Sequence, residues 1–439
     1  MQDSAVSPSG ETTASARHGL RVGVGIAAIN PPLDVPLAGY YYPRTPVGIH
    51  DDLHAKALVL GNNQDQIVLV ACDLVRLPRS AVEDARHRIK HSHAIPPDHV
   101  LITATHSHTG PQMVPRYVER LGSWIADSVD LAVGNQQPAR LFEAVEEQSS
   151  LPHNRRYLMK DGTVVTNPGF LNPNVVNAIG PIDPRLAVLL AETPQGRRMM
   201  AWVNYGLHQD TVGGDWISTD YSGFLSETLS DSEGPAIATI FTIGAAADVN
   251  HWDVRQHGPQ RGFPTAKRIG ETLARCVLQA YTHMSPVNSE RIRATSSTLA
   301  LPFQNISPDD VQKAERILSV PPSANVDFTL DRVWATKVMK IHDSKTLHLS
   351  AEVQVLTIGS LAFVGIPGEL FAQLGMQIIK DSPFPNTFIL ELANQDIGYI
   401  PTEEAFQQGA YEPTSAVIEA GGGERIVMEA LALLNACHE

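Results

Sequence analysis

Short apolar runs of β type alternate with helical patterns through most of this chain, and that alternation leaves few folds open. Runs at 66–71, 100–104, 186–191, 199–205, 237–243, 353–358, 361–366 and 388–392 predict strands. Patterns at 79–90, 117–132, 221–230, 267–281, 308–318, 368–380 and 423–436 predict helices. The expectation is an α/β fold, a mixed β-sheet flanked by helices in a single large domain. Pro- and Gly-rich connections at 30–51, 150–182 and 209–219 interrupt the alternation, and long structureless segments in a compact domain are usually functional loops. Residues 284–350 fit a subdomain or insertion without a clean boundary, so one domain over 20–439 is expected.

Composition narrows the function classes. At 439 residues with 43% apolar content, the chain can bury roughly three quarters of its unfolded surface. A formal net charge of −14 argues against a phosphate-binding surface for nucleic acid and against electrostatic docking on anionic lipid. The three cysteines, Cys72, Cys276 and Cys437, are far apart, so neither a disulfide framework nor a cysteine zinc site is expected. Residues 1–19 are rich in Ser, Thr, Ala and Gly with no apolar core; they predict a disordered tail rather than a signal peptide, which slightly favours the cytoplasm. No apolar run approaches the ~20 residues needed to span a bilayer.

Reading each predicted strand to its C-terminal end finds the chemistry. The 100–104 strand ends at Thr105-His106-Ser107-His108-Thr109-Gly110-Pro111, and the 199–205 strand ends at Gly206-Leu207-His208-Gln209-Asp210. The 361–366 strand runs into Pro367-Gly368-Glu369, with Glu369 expected in the first turn of the next helix. The 388–392 strand leads to Asn394-Gln395-Asp396-Ile397-Gly398-Tyr399. Histidines, a carboxylate and a phenol at neighbouring strand ends suit a zinc ion, which takes N and O donors. Asp210 is a candidate to orient His208. His91-Ser92-His93, beside Lys90 at a helix end, reads instead as surface capping.

These residues carry a resemblance. The opening Val22-Gly23-Val24-Gly25 through Pro36-Leu37-Ala38-Gly39-Tyr40, the Ala104–Pro111 run, Asn154-Arg155, Pro367-Gly368-Glu369 and Tyr399-Ile400-Pro401-Thr402-Glu403-Glu404 followed by Tyr411-Glu412 resemble, in order, motifs of the neutral, non-lysosomal ceramidase family of zinc amidases. The likeness spans about residues 20–415. It implies His106, His208, Glu369 and Tyr399 as zinc ligands, His108 and Arg155 lining the site, and Tyr411 donating a hydrogen bond to the tetrahedral oxyanion.

The sequence also departs from that family. It ends 28 residues after Tyr411, so the family's C-terminal β-sandwich is not expected. The Gly-Asp-Val-Ser-Pro-Asn type motif stands as Ala247-Asp248-Val249-Asn250-His251-Trp252. The expected function is therefore zinc-dependent hydrolysis of an amide, or a related ester or lactone, on a small-molecule or lipid-like substrate other than ceramide itself. A true ceramidase, a carbohydrate-active hydrolase or lyase on the same pocket, and a non-catalytic binding protein stay open as alternatives. Neither the oligomeric state nor zinc against another divalent metal follows from the sequence.

Overall fold

The computed structural model describes residues 19–62, 64–288, 291–321 and 329–439; the expected tail lies, up to residue 18, outside them. Three mixed sheets surround one apolar centre. The first contains β1 (Arg21–Ala28), β2 (His54–Gly61), β3 (Gln66–Cys72) and β4 (Val100–Ala104), in the order β4-β3-β2-β1. The second contains β5 (Arg140–Glu147), β6 (Arg185–Glu192), β7 (Arg198–Tyr205) and β8 (Ala238–Ile243), ordered β8-β7-β6-β5. The third is β9 (Ile292–Pro302), β10 (His348–Ile358), β11 (Leu361–Gly365) and β13 (Asn386–Leu390). Between β11 and β13 in the chain comes the short β12 (Glu369–Leu370), which pairs with β14 (Tyr399–Ile400).

Helices close the outer faces: α1 (Arg79–His93) and α2 (Pro115–Gly134) on the first sheet, α3 (Tyr221–Glu233) and α4 (Phe263–Ala280) on the second. On the third lie α7 (Ala372–Asp381) and α10 (Gly422–His438). The remaining helices are α5 (Pro308–Ser319), α6 (Leu330–His342), α8 (Glu403–Gln408) and α9 (Tyr411–Ser415).

The period of two in a strand explains why the sheets read as continuous apolar runs. In β3, Ile67, Leu69 and Ala71 enter the shared centre, while Val68, Val70 and Cys72 face α1 and α2. β7 sends Met200 and Trp202 inward and Ala201, Val203 and Tyr205 toward α3 and α4. β11 divides likewise, Leu361 and Phe363 inward and Ala362 and Val364 toward α7 and α10. With both faces buried, neither alternation nor polarity marks such strands.

The expected α/β class holds, resolved into three sheets. One local expectation fails. Glu369 is not in the first turn of a helix; α7 starts at Ala372, and Glu369 lies in β12, in register with Tyr399. The segment 284–350 is no separate subdomain: it supplies β9, the α5–α6 pair and the start of β10 within the third sheet. His93 ends α1, and its Nε2 pairs with Asp130 at 2.6 Å, in keeping with a surface role. Among the described residues no helix is long and apolar enough to cross a membrane.

Candidate metal centre

Each sheet delivers at least one donor beyond the C-terminal end of a strand that has a parallel neighbour. β4 lies parallel to β3 and leads to His106 and His108; β7 lies parallel to β8 and leads to His208; β11 lies parallel to β13 and leads to Glu369. His106 takes a left-handed backbone, φ +68°, which costs a non-glycine residue about 1–3 kcal/mol. Gly39 packs so tightly on the His108 ring that a Cβ there would lie 2.6 Å from its Nδ1.

The imidazoles converge through their Nε2 atoms, His106 to His208 at 2.9 Å and His108 to His106 at 3.2 Å. Glu369 Oε2 stands 3.5 Å from His106 Nε2 and 3.7 Å from His208 Nε2. The Nδ1 atoms decide what these short contacts mean. His106 Nδ1 donates to Val75 O at 2.9 Å and His208 Nδ1 to Ala246 O at 3.1 Å. In neutral rings the protons are therefore on Nδ1, and both Nε2 atoms present lone pairs. Burial keeps the rings neutral, pushing His106 and His108 down to about 3 and His208 well below its ordinary value. Two facing lone pairs cannot form a hydrogen bond. Among the described residues Glu369 Oε2 is buried with no hydrogen-bond partner, and burial raises its carboxyl to about 7. Neutral nitrogens and an orphaned carboxylate oxygen around one point form a donor set that fits a divalent metal.

Tyr399 reaches this group through Glu369, with which it shares a hydrogen bond and a backbone register. Its hydroxyl accepts from Arg155 Nη2 at 3.2 Å. Tyr411 stacks edge-on against Tyr399, ring centroids 5.3 Å apart, and its hydroxyl meets that of Tyr41 at 3.0 Å. His108 approaches the other two histidines as closely as a ligand does, and the three together form a group able to hold a metal. Geometry alone does not set it apart from His106 and His208.

Two neighbours that the sequence offers only as members of motifs acquire definite contacts. Glu412 is fully buried and clamps both Arg155 (2.8 Å) and Arg156 (3.1 Å). Asp248 accepts from Ala372 N and Asn154 Nδ2 and so fixes the loop that holds Arg155. Asp210 does not support His208; it bonds to Tyr40 and Arg261 and lies 4.0 Å from His108 Nδ1.

The donor group opens on two chambers. One, about 300 Å3, is bordered by His106, Glu369, Arg76 and α6. The other, about 270 Å3, is bordered by His208, Arg155, Trp252 and Arg261. His108, Tyr41, Tyr399 and Tyr411 border both.

No protein-family model matches the chain, and no curated protein sequence does. Solved structures do. The neutral ceramidase from Pseudomonas aeruginosa superposes with a TM-score of 0.74 at 18% identity, covering 95% of this chain and 75% of that one. A ceramidase complexed with C2 gives 0.75 at 17% identity, covering 95% and 76%. The chain has the neutral-ceramidase fold. Sequence motifs scattered over residues 20–415 and a backbone match over nearly the whole chain thus point to the same neutral-ceramidase framework.

Proposed function

We propose that residues 20–439 form a metal-dependent amidohydrolase that cleaves an amide, or a related ester or lactone, in a substrate more polar than ceramide. The observation that carries this reading is the convergence of neutral imidazole nitrogens with an unpartnered Glu369 oxygen. His106, His208, Glu369 and Tyr399 would hold the ion, and zinc suits their N and O donors. Bound there, zinc supplies Lewis acidity toward a carbonyl oxygen and acidifies water.

The chain's own groups complete the chemistry. Burial holds the Tyr411 phenol protonated, well above its ordinary value, so it can donate to the oxygen on which negative charge develops. Arg155, fixed by Glu412, holds the Tyr399 hydroxyl in place. His108 borders both chambers and carries the proton between the attacking water and the leaving nitrogen.

Support for a polar substrate comes from the lining. Among the described residues, the aliphatic side chains around the two chambers are Val75 and Val333 alone, which offers no slot for a long acyl chain. A second reading, a carbohydrate-active hydrolase or lyase, draws support from Tyr40, Trp252, Asp210 and Asp396 on those walls.

Metal analysis tests the ligand set: the wild type should carry one zinc, and Glu369→Ala and His208→Ala should each lower occupancy. Full stoichiometric zinc in both variants would sink the assignment. With zinc confirmed, release of amine from a short-chain N-acylsphingosine compared with polar N-acyl amides ranks the substrates.

A further inference from the structure

One wall of the Glu369 chamber comes from α6, and it carries a charge with no ion-pair partner among the described residues. Val333, Lys337 and Lys340 recur at helical spacing and present one stripe of α6 to the cavity. Lys337 is 8% exposed. Its Nζ donates to the amide oxygen of Gln304 at 2.9 Å, and Gln304 is itself anchored on Ala416 O. Among the described residues no carboxylate lies within the 4.0 Å of an ion pair.

Buried lysines are almost always paired with an acid, because an isolated ammonium is costly to desolvate. Here burial draws the ammonium below its ordinary value, and Asp310 gives only distant relief. Lys340, nearly one turn on, is exposed on the same wall. Arg76 borders the chamber as well, 3.4 Å from Asp396. Glu369 is turned to the imidazoles. The chamber thus has two ammonium groups and, among the described residues, no acid pairing them.

We propose that this chamber binds a carboxylate of the substrate between Lys337 and Lys340, so the compound cleaved is an acidic amide whose carboxylate lies a few bonds from the scissile carbonyl. This names a substrate class for the amidohydrolase read above and rests on that reading for the reaction, but the binding itself does not require turnover. The second chamber, which shares His108 and Tyr411 with the first, receives the remainder of the molecule.

Calorimetric titration tests the assignment with acetate and the diacid series malonate, succinate, glutarate and adipate, each with and without one equivalent of zinc. One diacid should bind wild-type protein at least tenfold tighter than acetate. Lys337→Met, which keeps the length of the buried side chain, should remove most of that preference, and exposed Lys340→Gln should weaken it several-fold. Diacids no tighter than acetate, or a preference unchanged by both substitutions, would overturn the proposal. A protein that takes up no zinc fails the metal reading instead; Lys337-dependent diacid binding in zinc-free protein then decides the anion site by itself.

Discussion

Glu412 is an acid clamped between two buried arginines, and the cost of its removal follows from its contacts. It is fully buried, accepts from Arg155 Nε at 2.8 Å, from Arg156 Nη1 at 3.1 Å and from Thr166 Oγ1 at 2.8 Å. Glu412→Gln keeps the shape and removes the charge, leaving two buried guanidinium groups beside each other. Breaking a buried pair from one side costs about 3–5 kcal/mol. Unfolding entropy of about 2.1 cal/mol/K per residue, over 439 residues, gives about 0.9 kcal/mol/K, so the melting temperature should fall by about 3–5 °C. Scanning calorimetry at neutral pH reads this directly. Arg156→Met in the same chain removes one of the stranded charges, so the double variant should be more stable than the sum of the single losses, with coupling of about 0.5–3 kcal/mol. A shift under about 1 °C for Glu412→Gln, or strict additivity, would refute the argument that one carboxylate neutralises both arginines.

Two further outcomes are expected. Tyr411→Phe should keep its zinc and lose turnover by about 10²–10³-fold, the usual loss for one oxyanion donor; an unchanged kcat in fully metallated protein would remove that role. Glu143, half-buried on β5 with Oε2 lacking a hydrogen-bond partner among the described residues, is raised by burial to about 7. The folded state then holds a proton that the unfolded chain releases near 4.5, so this group's stabilisation is complete at lower pH and is lost as pH rises toward 7. Glu143→Gln should therefore gain in melting temperature over the wild type between pH 5 and pH 8, and parallel pH profiles would contradict it.

What the sequence made legible follows from where each signal lies. Strands buried on both faces, such as β3, β4, β7 and β11, stand out as apolar runs. The half-exposed β5 and β9 do not: RLFEAVEE and IRATSSTLALP mix charge and hydroxyls into a β pattern. α6, which supplies one cavity wall, gives only a weak helix signal because LDRVWATKVMKIH carries several polar positions within its apolar stripe. The histidines were legible because strand ends and His-x-His spacing are local facts. Pro-Gly before an amphipathic run reads as a helix start, which puts Glu369 on a helix. Its actual conformation depends on pairing with Tyr399, thirty residues on, and no local rule contains that. The three long Pro- and Gly-rich connections, 30–51, 150–182 and 209–219, do reach the cavity, through Tyr40 and Tyr41, Arg155 and Asn167, and Asp210.

The division into three sheets accounts for the site better than any single motif. A donor from each sheet means that the geometry of the centre is the geometry of the sheets' mutual packing, and one residue joins all three. Glu391, directly after β13 and fully buried, accepts from Leu370 N at 2.7 Å and Ala246 N at 3.4 Å through Oε2. Its carbonyl accepts from Thr103 Oγ1 at 2.6 Å. Leu370 follows Glu369, Ala246 O receives the His208 Nδ1 proton, and Thr103 lies in the strand that delivers His106. Burial pushes the Glu391 carboxyl well above its ordinary value, which favours the neutral form of this brace beneath Glu369. Such supports fix ligand orientation by hydrogen bonding.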